Sequence, residues 1–465
     1  MKYKVWGKAK AAIKPHKHHF MTAGVVLFIV GFLLVFVTVF RLAMLYADSF
    51  YSGEREPYIQ SLSSHSAVIR WHSKNTSTSR VEVSSELGKT GISVKNKSIR
   101  ADHEIFIDGL SANTKYYYRV FNDDQLFRGG AEYWFETAPE AGSDSAVRLW
   151  LIGAPNKSMP DNHPIRDSMK NWLKHHAGSN NSNPDLIIST GNNAYENGAN
   201  EDYQAGLFNV YAEFFKNISF WPVYGEIDAK GWSFFSIFSL PKEAESGGVA
   251  SGTEQYYSID YASVHMIFLD SNEGAYSAND KMIRWLKQDL QTTKQKWVLV
   301  FFHHPPYTKG SHNSDDFKDS GSRMFNMRKR ILPVLEQAGV DLVVSGHSHS
   351  YERSYLIKCH YGVASSFQRT SIIEEGPRFT KPLSKAPLQG TIYTVMGASS
   401  SAEVGALNHP VMAFSKAELG SMIIDIEGDR LSSRFINTQA KVLDQFEIYK
   451  TDNNSSNNKA PISCQ

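Results

Sequence analysis

VFFHHPPYTKGSHNSD (residues 300–315) and VVSGHSHSYERS (residues 343–354) decide how this chain is read. Together they carry His303, His312, His347 and His349. Each piece follows or contains an apolar run, 297–302 in the first case and 342–344 in the second. An apolar run that ends in a polar cluster predicts a buried parallel strand opening into a loop. In open α/β sheets, ligands bind in the crevice beyond such carboxyl ends. Two strands delivering imidazoles to one edge predict half of a metal site. His304 reads, by contrast, as an ordinary loop histidine.

Working outward, strands and helices alternate. Residues 147–153 and 185–190 read as strands, the second ending in GNNAYENG. Residues 164–176 have helical spacing, with Ile165, Met169, Trp172 and Leu173 on one stripe. Residues 203–215, 281–290 and 323–337 also read as helices, and 255–260 with 264–270 as a hairpin. Residues 362–388 read as an irregular loop, and 390–396, 419–426 and 430–436 as strands. This predicts a layered α/β domain over 146–450 with a late antiparallel part. Upstream, 57–139 shows short alternating strands spaced as in an all-β sandwich. Its Leu110, Thr114, Tyr116 and Tyr118 spacing resembles the tyrosine corner of fibronectin type III domains. A spacer or positioning role is expected for it. The fold class is therefore α+β and multidomain.

The first residues decide the compartment. Residues 20–40 carry no charge, and at ~1.5 Å per residue they span a ~30 Å bilayer core. Lys2, Lys4, Lys8, Lys10, Lys14 and Lys17 precede them, while Arg41 stands nearly alone after them. The positive-inside rule predicts a cytoplasmic basic segment (1–19), a transmembrane anchor (20–46) and main domains on the periplasmic or extracellular side. The alternative is a cleaved signal peptide, against which the length of the apolar run argues. Residues 451–465, rich in Asn and Ser, read as a disordered tail. The net charge of +2 gives no electrostatic case for nucleic acid. Cys359 and Cys464 are the only cysteines. They exclude a thiolate cluster and leave both a bridge and two free thiols open. N-x-S/T sequons such as that at Asn75 matter only in a glycosylating host.

The chain from 57 to 450 resembles a purple acid phosphatase of the calcineurin-like metallophosphoesterase superfamily. The resemblance implies a four-layer α/β/β/α domain and a two-metal centre built from five motifs. Two are intact: Val300-Phe-Phe-His303 and Gly346-His347-Ser348-His349. Three are degenerate. Gly153-Ala154-Pro155-Asn156 has Ala154 where the family has an aspartate ligand. Gly191-Asn192-Asn193-Ala194-Tyr195 has Asn192 at the bridging aspartate but keeps the tyrosine ligand, Tyr195. Gly225-Glu226-Ile227-Asp228 has Glu226 at the asparagine ligand and Ile227 at the histidine that contacts substrate. His312 matches a substrate-side histidine of some members.

Two close metal ions need a bridging anion to offset their repulsion. The first metal position would keep only Tyr195 and His349, too few for a tight site. The second would keep Glu226, His303 and His347, with Asn192 as a weak fourth ligand, a set zinc accepts. The expectation is one zinc or other divalent ion, no dinuclear Fe/Zn/Mn centre, and impaired catalysis in a protein kept for binding or assembly. The alternative is a working hydrolase with a reduced one-metal site. The partners expected are the membrane, a phosphorylated ligand met through His312 and Arg353, or an envelope protein, and not nucleic acid.

Overall fold

Two seven-stranded sheets carry the chain from residue 147 onward. In the first, Val264–Leu269, Trp297–Phe302, Leu342–Ser345 and Ile392–Met396 run parallel in that order. Antiparallel strands close its edges: Tyr257–Tyr261 on one side, Tyr351–Ser354 and then Met412–Lys416 on the other. Every residue of Trp297–Phe302 is buried, as a parallel strand covered on both faces requires. Its side chains alternate. Leu299 and Phe301 enter the core shared with the second sheet. Val298, Val300 and Phe302 enter the core that includes Met282, Ile283 and Leu286 of helix Lys281–Thr292 and Leu332 and Leu335 of helix Leu332–Gln337.

In the second sheet, Val147–Ile152, Leu186–Ser189 and Ser219–Pro222 run parallel. Gly420–Glu427, Arg430–Asn437 and Val442–Thr451 extend it antiparallel. Helix Asn162–His176 buries Ile165, Met169, Trp172 and Leu173 in the same core, the stripe its spacing predicts. The result is a mixed α/β fold of metallophosphoesterase type, many-stranded and multidomain. Parallel strand ends lie level: Ile152 pairs with Ser189, Ser189 with Pro222, and Phe302 with Ser345. The loops that follow therefore leave the sheets at the same height.

The computed structural model describes residues 31–32, 35–36, 39, 51–155, 162–176, 183–272, 280–452 and 464. Residues 51–465 form one compact unit and 1–50 another. The expected anchor over 20–46 lies almost wholly outside the described residues. Those described within it are helical, with Phe32 and Val39 exposed. Among the described residues, no helix is long and apolar enough to cross a membrane.

Several expectations are corrected. The N-terminal strands do not divide into two separate sheets. All six are hydrogen-bonded into one sheet through the 18-residue strand Ala67–Ser84. That strand pairs with Arg55–Gln60 along its first half and Lys115–Asn122 along its second, with Ile92–Ile107 on the other edge. Register shifts between His72 and Ser79 separate the two halves, as bulges do. Strand Arg55–Gln60 begins two residues before the boundary expected at 57. Residues 362–388 are not wholly irregular, since Arg378–Pro382 forms the edge of the second sheet. The helix read over 323–337 is broken by a π-turn at Met327–Ile331, just before Pro333 removes a backbone donor. Cys359 and Cys464 form a disulfide, one of the two states the sequence left open, and the expected disordered tail over 451–465 lies mostly outside the described residues.

Candidate metal centre

Thr190 follows strand Leu186–Ser189 and accepts a hydrogen bond from Nδ1–H of His303 at 2.9 Å. This fixes the tautomer and turns the Nε2 lone pair inward, where it has no partner in a fully buried site. The approach is close because Gly191 lies against the ring. A Cβ there would meet His303 Nδ1 at 2.7 Å, and the residue has φ of +94°. His304 is equally buried. Its Nδ1 is hydrogen-bonded to Ser271 Oγ at 2.8 Å, and its Nε2 is also unpartnered.

His347 sits on the opposite loop with φ of +64°. The Ser320 hydroxyl donates to Asp319 Oδ1 at 2.7 Å, so its oxygen accepts Nε2–H of His347 at 2.6 Å. That leaves the lone pair on His347 Nδ1, 3.7 Å from Glu226 Oε1. Glu226 Oε2 lies 3.7 Å from His304 Nε2. One nitrogen from each of His303, His304 and His347 falls within 4.8 Å of the others. Burial, reinforced by the neighbouring imidazoles, pushes His303 down to about 3 and His347 well below the ordinary range. Burial also lowers His304. Neutral rings are what a metal ion requires of histidine, and the lone pairs of His303 Nε2 and His347 Nδ1 are free to meet one. Glu226 is held down to about 2, first by His304 and then by His303 and Arg323, against the opposing effect of burial. The Glu226–His304 separation exceeds hydrogen-bonding range, so the contact is electrostatic.

The loop carrying Glu226 is shaped by Asp228. This buried carboxylate accepts from Gly225 N at 2.9 Å, Asn193 N at 3.0 Å, Asn193 Nδ2 at 3.0 Å and Tyr203 OH at 2.6 Å. It staples the 191–195 loop to the 225–228 loop.

The rest of the predicted site is arranged differently. Asn192 does not turn its amide to the histidines. Its Oδ1 accepts Ile227 N–H at 2.9 Å and its Nδ2 donates to Tyr195 OH at 3.0 Å. Tyr195 and His349 have partners: the phenol oxygen lies 3.5 Å from His349 Nε2, and His349 Nδ1 pairs with Glu403 at 2.7 Å. Burial raises Tyr195 to about 12. Ala154 is buried with φ of +43°, and its carbonyl accepts the Ser400 hydroxyl. Ile227 is buried and contributes only its backbone. His312 stands at the rim, stacked on His347 with ring centroids 3.9 Å apart and its Nδ1–H donated to Asp319 at 2.8 Å. Arg353 does not face the site. Both its Nε and Nη2 are committed to Asp444 in a buried pair.

Sequence reasoning missed His304, Asp319, Ser320 and Glu403. For His304 a signal existed: a second imidazole directly at a strand end, where the backbone turns and both rings can face one crevice. For Glu403, in a loop far along the chain, no local signal existed.

Residues 159–351 match the family described as calcineurin-like phosphoesterase. Purple acid phosphatase 1 of Ipomoea batatas is 26% identical over 347 residues, 70% of this chain and 65% of that protein. The phosphoenolpyruvate phosphatase of Allium cepa is 25% identical over 311 residues, 62% of this chain and 56% of that one. The chain is similar to the purple acid phosphatase-like metallophosphoesterases. It spans between 56% and 65% of the length of these two relatives. In three dimensions it is similar to the purple acid phosphatase PPD1 of yellow lupin, with a TM-score of 0.64 and 16% identity over 86% of this chain and 75% of that one. It is also similar to PhoD, with a TM-score of 0.58 and 13% identity over 87% of this chain and 92% of that one. The members' names include an Fe(3+)-Zn(2+) purple acid phosphatase of Arabidopsis thaliana. The buried, unpartnered Nε2 atoms of His303 and His304 fit a metal ion in this chain.

Proposed function

We propose that this metallophosphoesterase-like domain holds one divalent ion, zinc by ligand chemistry, and binds a phosphorylated ligand with catalysis impaired. The observation that carries the reading is the convergence of His303, His304 and His347 with Glu226, beside a first position already closed by protein hydrogen bonds. The four donors match a nitrogen-and-carboxylate set that zinc accepts. Glu226 supplies the negative charge that Asn192 cannot. The first position offers Tyr195 and His349 engaged with each other, and an alanine methyl at residue 154. When bound, a metal ion supplies a polarising positive charge to a phosphoryl oxygen. The chain's own residues hold the ligands in their tautomers, through Thr190, Ser271 and Ser320, and exclude water around them. Ile227 places no acid where the family has a substrate histidine. Anchoring through 20–46, with the main domains outside the cytoplasm, belongs to the same proposal. The Cys359–Cys464 bridge supports an oxidising compartment.

The test is metal content by mass spectrometry on the purified full chain, with turnover of an aryl phosphate measured in Zn, Mn and Fe. The expected result is one metal per chain and turnover near background. Two metals per chain with robust turnover would sink the reading.

A further inference from the structure

Arg323 is held by two carbonyls from the loops that support the histidine cluster. Its Nε donates to Asn272 O at 2.8 Å, and its Nη1 donates to Ser320 O at 3.1 Å. Ser320 is the residue whose hydroxyl meets His347 Nε2. Asn272 donates through Nδ2 to the carbonyls of Tyr224 at 3.1 Å and Gly225 at 3.3 Å, the backbone immediately before Glu226. The guanidinium therefore bridges the loop behind His347 and the loop behind Glu226. Its charge is felt at both Glu226 and His304.

The backbone before it is unusual. Ser320, Gly321 and Ser322 take φ of +53°, +60° and +66° in succession. Two of the three are not glycine. Left-handed conformation at such residues costs free energy and persists where the surrounding structure demands it. Here the run turns the chain so that Ser320 reaches His347 and Arg323 comes back across Ser320. Among the described residues, Arg323 is in no ion pair. The other cations nearby are committed: Lys309 lies 3.9 Å from Asp315, and Lys230 donates to Glu196 O at 3.1 Å.

We propose that Arg323 is the oxyanion anchor of this site, its guanidinium taking a tetrahedral phosphate or phosphomonoester group against the metal. The inference rests on the one-metal reading above and names the residue that completes its charge. One divalent ion offset by the Glu226 carboxylate leaves a single positive charge to meet a dianion. The guanidinium adds the second charge, in a planar fork suited to two phosphate oxygens. Arg323 is half-buried, so part of it remains accessible from outside, and among the described residues its Nη2 donates to no protein group.

The test is isothermal titration of the purified full chain, zinc-loaded, with inorganic phosphate and separately with phenyl phosphate. Wild type is compared with Arg323→Gln and Arg323→Lys, with zinc content and thermal midpoint measured on each. Arg323→Gln is expected to weaken both anions about ten- to hundred-fold, the range for a lost charged hydrogen bond. Arg323→Lys should fall between, and zinc content should stay at the wild-type value. Equal affinity in wild type and Arg323→Gln, or no anion binding by wild type, would overturn the inference. Absence of zinc from the wild-type chain defeats the one-metal reading instead. In that case an Arg323-dependent phosphate affinity still upholds the anchor, and an Arg323-independent one removes it. A response to phenyl phosphate alone identifies a monoester as the ligand, and equal responses identify the phosphate group as all that is recognised.

Discussion

His304→Ala is the substitution that separates the structural reading of the metal centre from the sequence reading. The sequence assigns the metal to His303, His347, Glu226 and Asn192. The structure puts His304 Nε2 in the cluster and turns the Asn192 amide away. Partners that only orient a ligand cost about 10–100-fold in metal affinity when removed, so a ligand itself should cost at least ~100-fold. At a zinc concentration about 100 times the wild-type Kd, binding stabilises the folded chain by ~2.7 kcal/mol. A 100-fold weaker variant at the same zinc concentration is half-saturated and gains only ~0.4 kcal/mol by the same relation. With an unfolding entropy of about 2.1 cal/mol/K per residue over the compact unit 51–465, or roughly 1 °C per kcal/mol, the zinc-induced shift should fall from ~3 °C to ~0.5 °C. The assay is thermal unfolding with and without zinc, read against zinc content after dialysis. Asn192→Ala serves as the comparison and should keep most of the shift. A wild-type zinc shift in His304→Ala, together with its loss in Asn192→Ala, would refute the geometric assignment and restore the one drawn from sequence.

Three further outcomes are expected. Burial pulls His265 down, but its hydrogen bonds to Asp260 and Asp289, both 2.8 Å, more than reverse this and raise it to about 9. The stability it contributes is complete below its unfolded value near ~6.5 and is lost as pH rises through about 9. Urea midpoints should therefore fall across that window in wild type, and a flat profile would count against it. Cys464→Ser opens a bridge with a sequence separation of 105, for which the chain-entropy relation gives ~4.7 kcal/mol. Denaturant unfolding under non-reducing conditions should show most of that loss. Ala154→Asp combined with Asn192→Asp restores the two aspartates that the family resemblance places at the first position. Asp at 192 can still accept Ile227 N–H and no longer donates to Tyr195. Metal content should rise above that of wild type, and an unchanged content would show that the first position is closed for reasons beyond those side chains.

What the sequence made legible follows from range. Strands Trp297–Phe302 and Leu342–Ser345 were plain because burial on both faces leaves a continuous apolar run. The helix stripe Ile165, Met169, Trp172 and Leu173 was plain for the same local reason. His304 was misread because one residue beyond a strand end does not announce which way its ring turns. That direction is set by Ser271, at the end of a neighbouring strand. Arg353 was misread in the opposite sense. Its place beside the histidine motif suggested the site, while its partner Asp444 lies far along the chain, so its burial in an ion pair had no local trace. The single N-terminal sheet was missed because the irregularities between His72 and Ser79 look, in sequence, like an ordinary break between two strands.

The two positions that the family resemblance implies differ in how their polar groups are met. At the first, loss of carboxylates left a phenol and an imidazole, and each can satisfy the other without an ion. Asn192 donates to Tyr195, the phenol faces His349, and Glu403 holds the far nitrogen of that ring. A metal entering there would have to break the Asn192–Tyr195 and Tyr195–His349 contacts, and the nearby carboxylate, Glu403, lies on the far side of the His349 ring. At the second, His303 and His304 bury nitrogen atoms that no protein group satisfies, a cost that persists in a folded chain only if something else meets them. Glu226 stands beside them and remains ionised. The carboxylate and the amide have in effect changed places between residues 192 and 226. On the one-ion proposal, that exchange places negative charge to the side of a single ion and leaves none between two.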